Sequence, residues 1–270
     1  MSPGIPVIIL GDSDFDFQVK LTDVDAVISP GEIIAEKVHE HLDEIETKLK
    51  FKKLIEIIKE ADKGIAIVTQ NNPDPDAIAS ALSLRKIIEK HGLTAEIVYG
   101  EEIGHDENKI MVNLLGIQMK HITRVNIRAY SKVALVEASI PGVNNPLTRD
   151  IIPDIIIDHH QVNMKNVKGD YIDIRPEMGA TSTILTQYLT LMNVEIDEKL
   201  ATALLYGIKT DTTDFTRGST LKDLEAVKIL YPKANHDVLS KIEMPLISAE
   251  TFDVIAQAIK NRMVKGSYLL

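Results

Sequence analysis

Apolar residues in this chain come in short runs, and three of the runs break off at side chains able to hold a metal ion. Ile65–Thr69 leads into Gln70-Asn71-Asn72-Pro73-Asp74-Pro75-Asp76. ALVEAS sets Glu137 directly after a second run, and DIIIDHHQ sets Asp158, His159 and His160 directly after a third. Runs of this length, rich in Ile, Val and Ala, predict strands, and continuous rather than alternating hydrophobicity predicts strands covered on both faces, as in a parallel sheet. Three strand ends that carry polar chemistry predict a site at the carboxyl edge of that sheet, where open α/β sheets take their ligands.

Between these runs the apolar period becomes helical. Ala77–His91 reads as a helix closed by Gly92 at its C-cap, and Glu107–Leu115 as another ending at Gly116. Gly179–Met192, Lys199–Thr210, Thr220–Leu230 and Ala249–Arg262 read as further helices, the first with Ser or Thr near its start to cap it. Ala95–Tyr99, Val133–Val136, Ile155–Ile157 and the YIDI word read as strands. From Glu32 onward, Ile33, Ile34, Val38, Leu42, Ile45, Leu49, Leu54, Ile57 and Ile58 keep a helical period, which predicts one long helix or two with a break near Thr47–Phe51. His39 and His41, two apart on that helix, do not share a face and read as surface histidines. The whole predicts an α/β fold: a mostly parallel sheet flanked by helices, an N-terminal strand–helix segment before it and linker helices after it. The expected bounds are 1–60, 61–217 and 218–270.

Composition narrows the class. The 270 residues are 44% hydrophobic but only 4% aromatic, so the core is aliphatic. Without cysteine, disulfides, thiolate catalysis and Cys-ligated zinc are excluded. A formal net charge of -10 argues against gripping long nucleic acid, which depends on Lys and Arg neutralising phosphates, but leaves room for a short anionic substrate held through metal ions. No apolar run approaches the roughly 18 residues of a membrane helix. The start, MSPGIPVIILGDSD, lacks the positive segment of a signal peptide. The expectation is a cytoplasmic protein with no membrane partner, and the long helix leaves a homodimer open.

Several polar residues carry candidate chemistry. Prolines fix the backbone around Asp74 and Asp76, and in an extended run the two carboxylates would alternate in direction and reach different ions. The same residues also make ordinary turns. In Asp158-His159-His160, one imidazole can ligate a metal while a carboxylate orients a ring from behind. Asp211 closes a helical run, where the dipole opposes a carboxylate, a placement that calls for a compensating cation.

The words NNPDPDAIASAL, ALVEAS, IIIDHH and YGIKTDTTDF, in this order over about residues 62–217, resemble the DHH phosphoesterase family. That family includes RecJ-like exonucleases, nano-RNases, cyclic-dinucleotide phosphodiesterases and manganese pyrophosphatases. The resemblance implies two adjacent divalent ions, typically manganese, with magnesium as the alternative. The first ion would be held by Gln70, Asp74 and Glu137, and the second by Asp76, Glu137, His159 and Asp211. It further implies that Asp158 orients His159 and that His160 contacts the phosphate or donates a proton, making Asp158 and His160 the catalytic pair. Two positions depart from the pattern. Gln70 stands where the family has His, and a neutral amide is a weaker ligand for manganese than an imidazole. Glu137 stands where the family has Asp, and the extra methylene displaces the carboxylate by about 1 Å. Both changes fall on the first ion, so an intact second site beside an impaired first one is expected. Arg175, Lys209 and Arg217 are candidates for holding a terminal phosphate, alongside ordinary surface roles.

LGDSDF and DVDAVISPGEIIAE resemble the tail of the TrkA-type nucleotide-binding domain of potassium-uptake regulators. The glycine-rich loop that would hold a dinucleotide does not occur in the chain, so no dinucleotide binding is expected. No GGG or GGH word of the DHH family's second domain follows, and the closing YLL resembles the first strand of that domain with nothing downstream to pair with. The expectation is a C-terminal substrate domain absent or truncated. The leading functional expectation is hydrolysis of short nucleotide or cyclic-dinucleotide phosphodiesters by a hydroxide activated between two metal ions. The expected partner is a small phosphorylated nucleotide or short oligonucleotide. A degenerate domain that senses a nucleotide without turnover, and an inorganic pyrophosphatase, are the alternatives.

Overall fold

The computed structural model describes residues 8–10, 26–28, 30–243, 249–262, 264–265 and 268–269. The chain divides into two compact units, Met1–Lys53 and Leu54–Leu270. In the first, β1 (Ile8–Leu10) pairs in parallel with β2 (Ala26–Ile28). Part of the words behind the TrkA-type resemblance, at 11–15, 23–25 and 29, lies outside the described residues. Helix α1 (Pro30–Lys59) is unbroken, and the Thr47–Phe51 stretch lies within it. Its Pro and Gly sit in the first turn, where a missing N–H costs nothing, and none follows to interrupt the hydrogen-bond ladder.

The second unit is built on a parallel sheet of six strands: β3 (Ile65–Val68), β4 (Ala95–Tyr99), β5 (Lys120–His121), β6 (Lys132–Val136), β7 (Ile155–Asp158) and β8 (Tyr171–Ile174). Their spatial order is β5-β4-β3-β6-β7-β8. The chain lays strands outward from β3 in one direction, then returns and lays them outward from β6 in the other. Ile65 is in register with both Ala95 and Lys132, so the reversal falls between β3 and β6. That is the topological switch point, where the connections after adjacent strands diverge and leave a crevice.

The expected α/β class is borne out, and continuous hydrophobicity has the predicted cause. Ala66, Val68, Leu135 and Ile156 on one face of the sheet form a core with Ile127, Ala138, Leu147 and Val167 from connecting segments. Alternation along the strands turns Ile65, Ile67, Ala134, Val136, Ile155 and Ile157 to the other face, and all six are fully buried. Helix α2 (Pro75–Lys90) packs along β3, β4 and β6. After α3 (Asp106–Leu114) come α4 (Thr181–Leu191) and α5 (Glu198–Asp211), both packed on α2. The approach is close at Gly207 of α5. A Cβ there would lie 2.6 Å from the Ser182 hydroxyl and 3.1 Å from the Cα of Asp76, so only glycine lets the three helices meet.

Three helices follow: α6 (Leu221–Leu230), α7 (His236–Glu243) and α8 (Ala249–Lys260). Thr220 and Asp223 close α6 with a reciprocal capping box. The α7 helix and the two-residue β5 are additions to the sequence reading. One expectation is corrected: the terminal Tyr268–Leu269 (β10) is not a lone strand, because it pairs antiparallel with β9 (Val264–Lys265). No helix among the described residues is long and apolar enough to cross a membrane.

Candidate metal centre

Four chain segments deliver side chains to the crevice beside the switch point. After β3, Asp74 takes extended backbone and caps α2, its Oδ1 accepting from the Ala77 N–H at 2.8 Å. The helix therefore begins at Pro75, and the PDPD word is not an extended run. Asp76 sits in the first helical turn and points elsewhere, at the start of α4, where its oxygens accept from the Thr181 N–H at 2.7 Å and the Ser182 N–H at 2.8 Å. The residue that precedes α4 is Ala180, which has no capping side chain, so the cap comes from a carboxylate over a hundred residues away rather than from the helix's own Ser or Thr.

Directly after β6, Glu137 is buried and holds φ at 60°, a left-handed conformation that costs a non-glycine residue on the order of 1 kcal/mol. Asp158 is the last residue of β7, and His159 and His160 follow it directly. The Nδ1 of His159 lies 3.1 Å from the carbonyl of Met178, which fixes a proton there and turns Nε2 inward. That Nε2 lies 2.9 Å from Oδ2 of Asp211, the last residue of α5, and 3.2 Å from Oε1 of Glu137.

These atoms form a cluster that protein groups alone do not satisfy. One ligand atom from each of Asp76, Glu137, His159 and Asp211 lies within 4.8 Å of the others. Both oxygens of Glu137 and the Nε2 of His159 are buried and lack a well-aligned hydrogen-bond partner. Burial and the neighbouring Asp76 push the Glu137 carboxyl well up, and burial and Asp211 push Asp76 up. Burial alone would lower the His159 pKa, but Asp211, Glu137 and Asp76 outweigh it and raise it to about 12. Converging carboxylates with orphaned oxygens around an inward imidazole nitrogen, from which an ion would displace the proton, are a donor set that fits a divalent cation. A second grouping, Glu137, His159 and His160, shares two members with the first.

Asp158 serves the other histidine. Its Oδ1 lies 2.9 Å from Nδ1 of His160 and accepts the His160 backbone N–H at 3.0 Å, while the Ser139 hydroxyl donates to Oδ2. The ring oriented by Asp158 is therefore His160, which corrects the expectation that it would be His159. The chain bends just after β7, and in that bend Asp158 accepts both the backbone N–H and the ring Nδ1 of His160. The Asp158 bond raises the His160 pKa to about 9. On Asp158 itself, burial acts upward, but His160 and Ser139 outweigh it and hold the carboxyl low. The His160 side chain is 58% exposed, so its far edge faces the open side of the crevice.

A family model described as the DHH family, N-terminal domain, matches residues 64–208, more than half of the chain. This chain belongs to the DHH family. An uncharacterized protein of Methanocaldococcus jannaschii, MJ1633, is 42% identical over 227 residues, 84% of this chain and 47% of that one. A "probable manganese-dependent inorganic pyrophosphatase" of Lactobacillus helveticus is 30% identical over 169 residues, 62% of this chain and 53% of its own length. The DHH chain thus spans about half the length of these curated relatives. Among solved structures, an exopolyphosphatase-related protein from Bacteroides fragilis shares the fold with a TM-score of 0.66 at 19% identity, covering 81% of this chain and 66% of that one.

The remaining sequence candidates of this DHH domain fall differently. Gln70 and Asp74 stand together but outside both groupings, with the Gln70 amide N–H donated to Asp74 at 2.5 Å. Arg175 does not reach the crevice. It is buried, with Nε donating to both oxygens of Asp173 at 2.9 and 3.0 Å and Nη1 to Gln187 at 2.9 Å. Lys209 is paired with Glu243 and with Asp214, and Arg217 lies exposed. Beside the centre, a cleft of about 530 Å³ is lined by Pro75, His105, Glu107, Tyr206, Lys209 and Asp214 among others, and its lysine is paired with Glu243 and Asp214. Sequence reasoning missed Ser139, the Met178 carbonyl and the backbone N–H groups of Thr181 and Ser182. Of these only Ser139, two residues after Glu137, had a local signal.

Proposed function

We propose that this domain hydrolyses a phosphorus–oxygen bond of a small phosphorylated compound with the help of a divalent cation, manganese by preference. The observation that carries this reading is the buried Glu137 and His159, whose ligand atoms lack a well-aligned hydrogen-bond partner, facing Asp76 and Asp211 at the switch point. Asp76, Glu137, His159 and Asp211 would hold the ion. Imidazole with carboxylates suits manganese better than calcium or magnesium, which favour oxygen alone. A bound ion supplies Lewis-acid polarisation of a phosphoryl oxygen and eases deprotonation of water.

The chain's own residues supply the rest. Asp158 holds His160 by its Nδ1 and keeps the imidazole protonated at neutral pH, so its Nε2–H can be offered to a phosphoryl oxygen or given to the leaving oxygen as the bond to phosphorus breaks. Ser139 fixes Asp158 from behind. The crevice is bounded by α2, α4 and α5, which shield one side from water.

Short nucleotide and cyclic-dinucleotide phosphodiesters are the first substrate class of this reading. Inorganic pyrophosphate is the second, favoured by the likeness to relatives described as manganese-dependent inorganic pyrophosphatases. The test is phosphate and mononucleotide release from a linear dinucleotide, a cyclic dinucleotide and pyrophosphate, each with manganese and with chelator. Manganese-dependent turnover of any one, lost in His160→Ala, supports the reading. Turnover of none by the chain together with whatever sequence adjoins it in the organism sinks it.

A further inference from the structure

The two aspartates of the PDPD word each accept hydrogen bonds from protein donors on both oxygens, but they differ in what faces them. Asp76 faces Glu137, His159 and Asp211, and the ligand atoms of Glu137 and His159 lack a well-aligned hydrogen-bond partner. Asp74 has both oxygens occupied by protein donors: the Ala77 N–H on Oδ1 and the Gln70 side-chain amide on Oδ2. The Gln70 amide is itself held at its other end, its Oε1 accepting from the Asn144 side chain at 3.0 Å. Turning the Gln70 amide over would set an oxygen against Asp74, so the Asp74 carboxylate favours the orientation in which the amide N–H faces it, and the Asn144 side chain complements that orientation. The same Asn144, at φ 53°, also ties down the loop through its carbonyl, which accepts the Asn71 N–H at 2.8 Å. Gln70 thus bridges the loop after β3 to the loop after β6 while facing Asp74 with the partly positive end of its dipole.

A second ion beside the first would need Asp74 and Gln70 as ligands, and these residues do not fit it as they stand. The Gln70 oxygen points away to Asn144, and the group aimed at Asp74 is a donor, which repels a cation. We propose that the centre takes one divalent ion rather than two, and that the Gln70 amide stands where a second cation would, stabilising the Asp74 carboxylate through a hydrogen bond. The ion lies among Asp76, Glu137, His159 and Asp211, and Asp74 is a structural cap of α2. This rests on the reading of those four residues as an ion site.

Manganese stoichiometry by equilibrium dialysis, with electron paramagnetic resonance on the same samples, tests it. The expected result is one ion per chain with a spectrum of isolated manganese. Asp74→Asn, which retains capping ability, is expected to keep one ion with affinity within about threefold. Gln70→His, which replaces the amide donor by a ring with a lone pair, is expected to take up a second ion and show exchange broadening. Two ions in the unaltered chain, loss of the ion in Asp74→Asn, or equal stoichiometry with and without Gln70→His would each overturn the proposal while leaving the ion site intact. No ion in the unaltered chain, or an ion retained in Glu137→Gln and His159→Ala alike, would overturn the ion-site reading itself.

Discussion

The Nε2 of His159 and the Oε1 of Glu137 stand 3.2 Å apart in a buried pocket, yet the geometry of neither atom makes a hydrogen bond. Such an arrangement stores unfavourable energy in the metal-free protein: Glu137 is desolvated, faces Asp76, and sits on left-handed backbone. Manganese at a hundred times its dissociation constant is expected to add about 2.7 kcal/mol to stability, visible as a rise in Tm. Glu137→Gln is expected to abolish that rise and to melt, without metal, no lower than the unaltered protein. A metal-free Tm several degrees below it would show that Glu137 has protein partners after all.

Asp76 is expected to behave in the opposite way, although it faces the same cluster. Its carboxylate accepts from the backbone N–H groups of Thr181 and Ser182. Asp76→Ala leaves both donors buried and unpaired at the start of α4, at about 2–4 kcal/mol. Chemical denaturation in the presence of chelator measures this. Equal stability of Asp76→Ala and the unaltered protein would mean α4 is capped from elsewhere. The difference between Glu137 and Asp76 separates the residue kept for the ion from the one that also builds the fold.

The contrast shows what the sequence could reveal. The strand-end carboxylates and histidines were legible because each sits where an apolar run stops, and the order of the runs predicted one sheet edge. Which imidazole Asp158 would hold was not legible from adjacency alone, since it depends on how the chain bends just after β7. The capping of α4 by Asp76 is long-range and leaves no local trace beyond an Ala where a cap is usual. Arg175 looked free because Asp173 and Gln187, its partners, sit on a strand and a helix whose approach no spacing rule gives. The two-residue β5 and the eight-residue α7 are too short for their periodicity to rise above that of a loop.

Gly207 has no place in the proposed chemistry, but the centre depends on it. A methyl group there would meet Ser182 and the backbone of Asp76 and push α5 outward. Because Asp211 lies one turn further along α5, the shift moves one ligand away from the other three. Gly207→Ala is expected to cost about 1–3 kcal/mol in denaturation and to weaken manganese binding more than tenfold. Unchanged affinity would show that Asp211 is not a ligand.

The Arg175–Asp173 pair is nearly fully buried, with Tyr188 donating to the same carboxylate. Removing one partner of such a pair strands the other charge away from water. Arg175→Ala is expected to lose about 3–5 kcal/mol of stability while the folded fraction binds manganese and substrate as before. A variant that folds normally but loses substrate affinity would return Arg175 to the list of phosphate ligands.

The last prediction concerns pH and lies away from the metal centre. Asp197 caps α5, accepting the Leu200 N–H at 2.8 Å and pairing with Lys86 at 2.9 Å. Partial burial acts to raise its pKa, but the Leu200 N–H and Lys86 outweigh it and hold the carboxyl below its ordinary value. A folded-state pKa below the unfolded one means the cap contributes above the unfolded value near 3.9 and loses its contribution as pH falls through the folded value. The Lys86 pair is half exposed and adds little, so most of the effect is the cap itself. Asp197→Ala is expected to cost about 1 kcal/mol at neutral pH. The gap from the unaltered protein should narrow as pH drops below about 4, where protonation removes the charge from the residue it replaces. A gap that stays constant from neutral pH to pH of about 3 would mean that the carboxylate's charge plays no part in holding the start of α5.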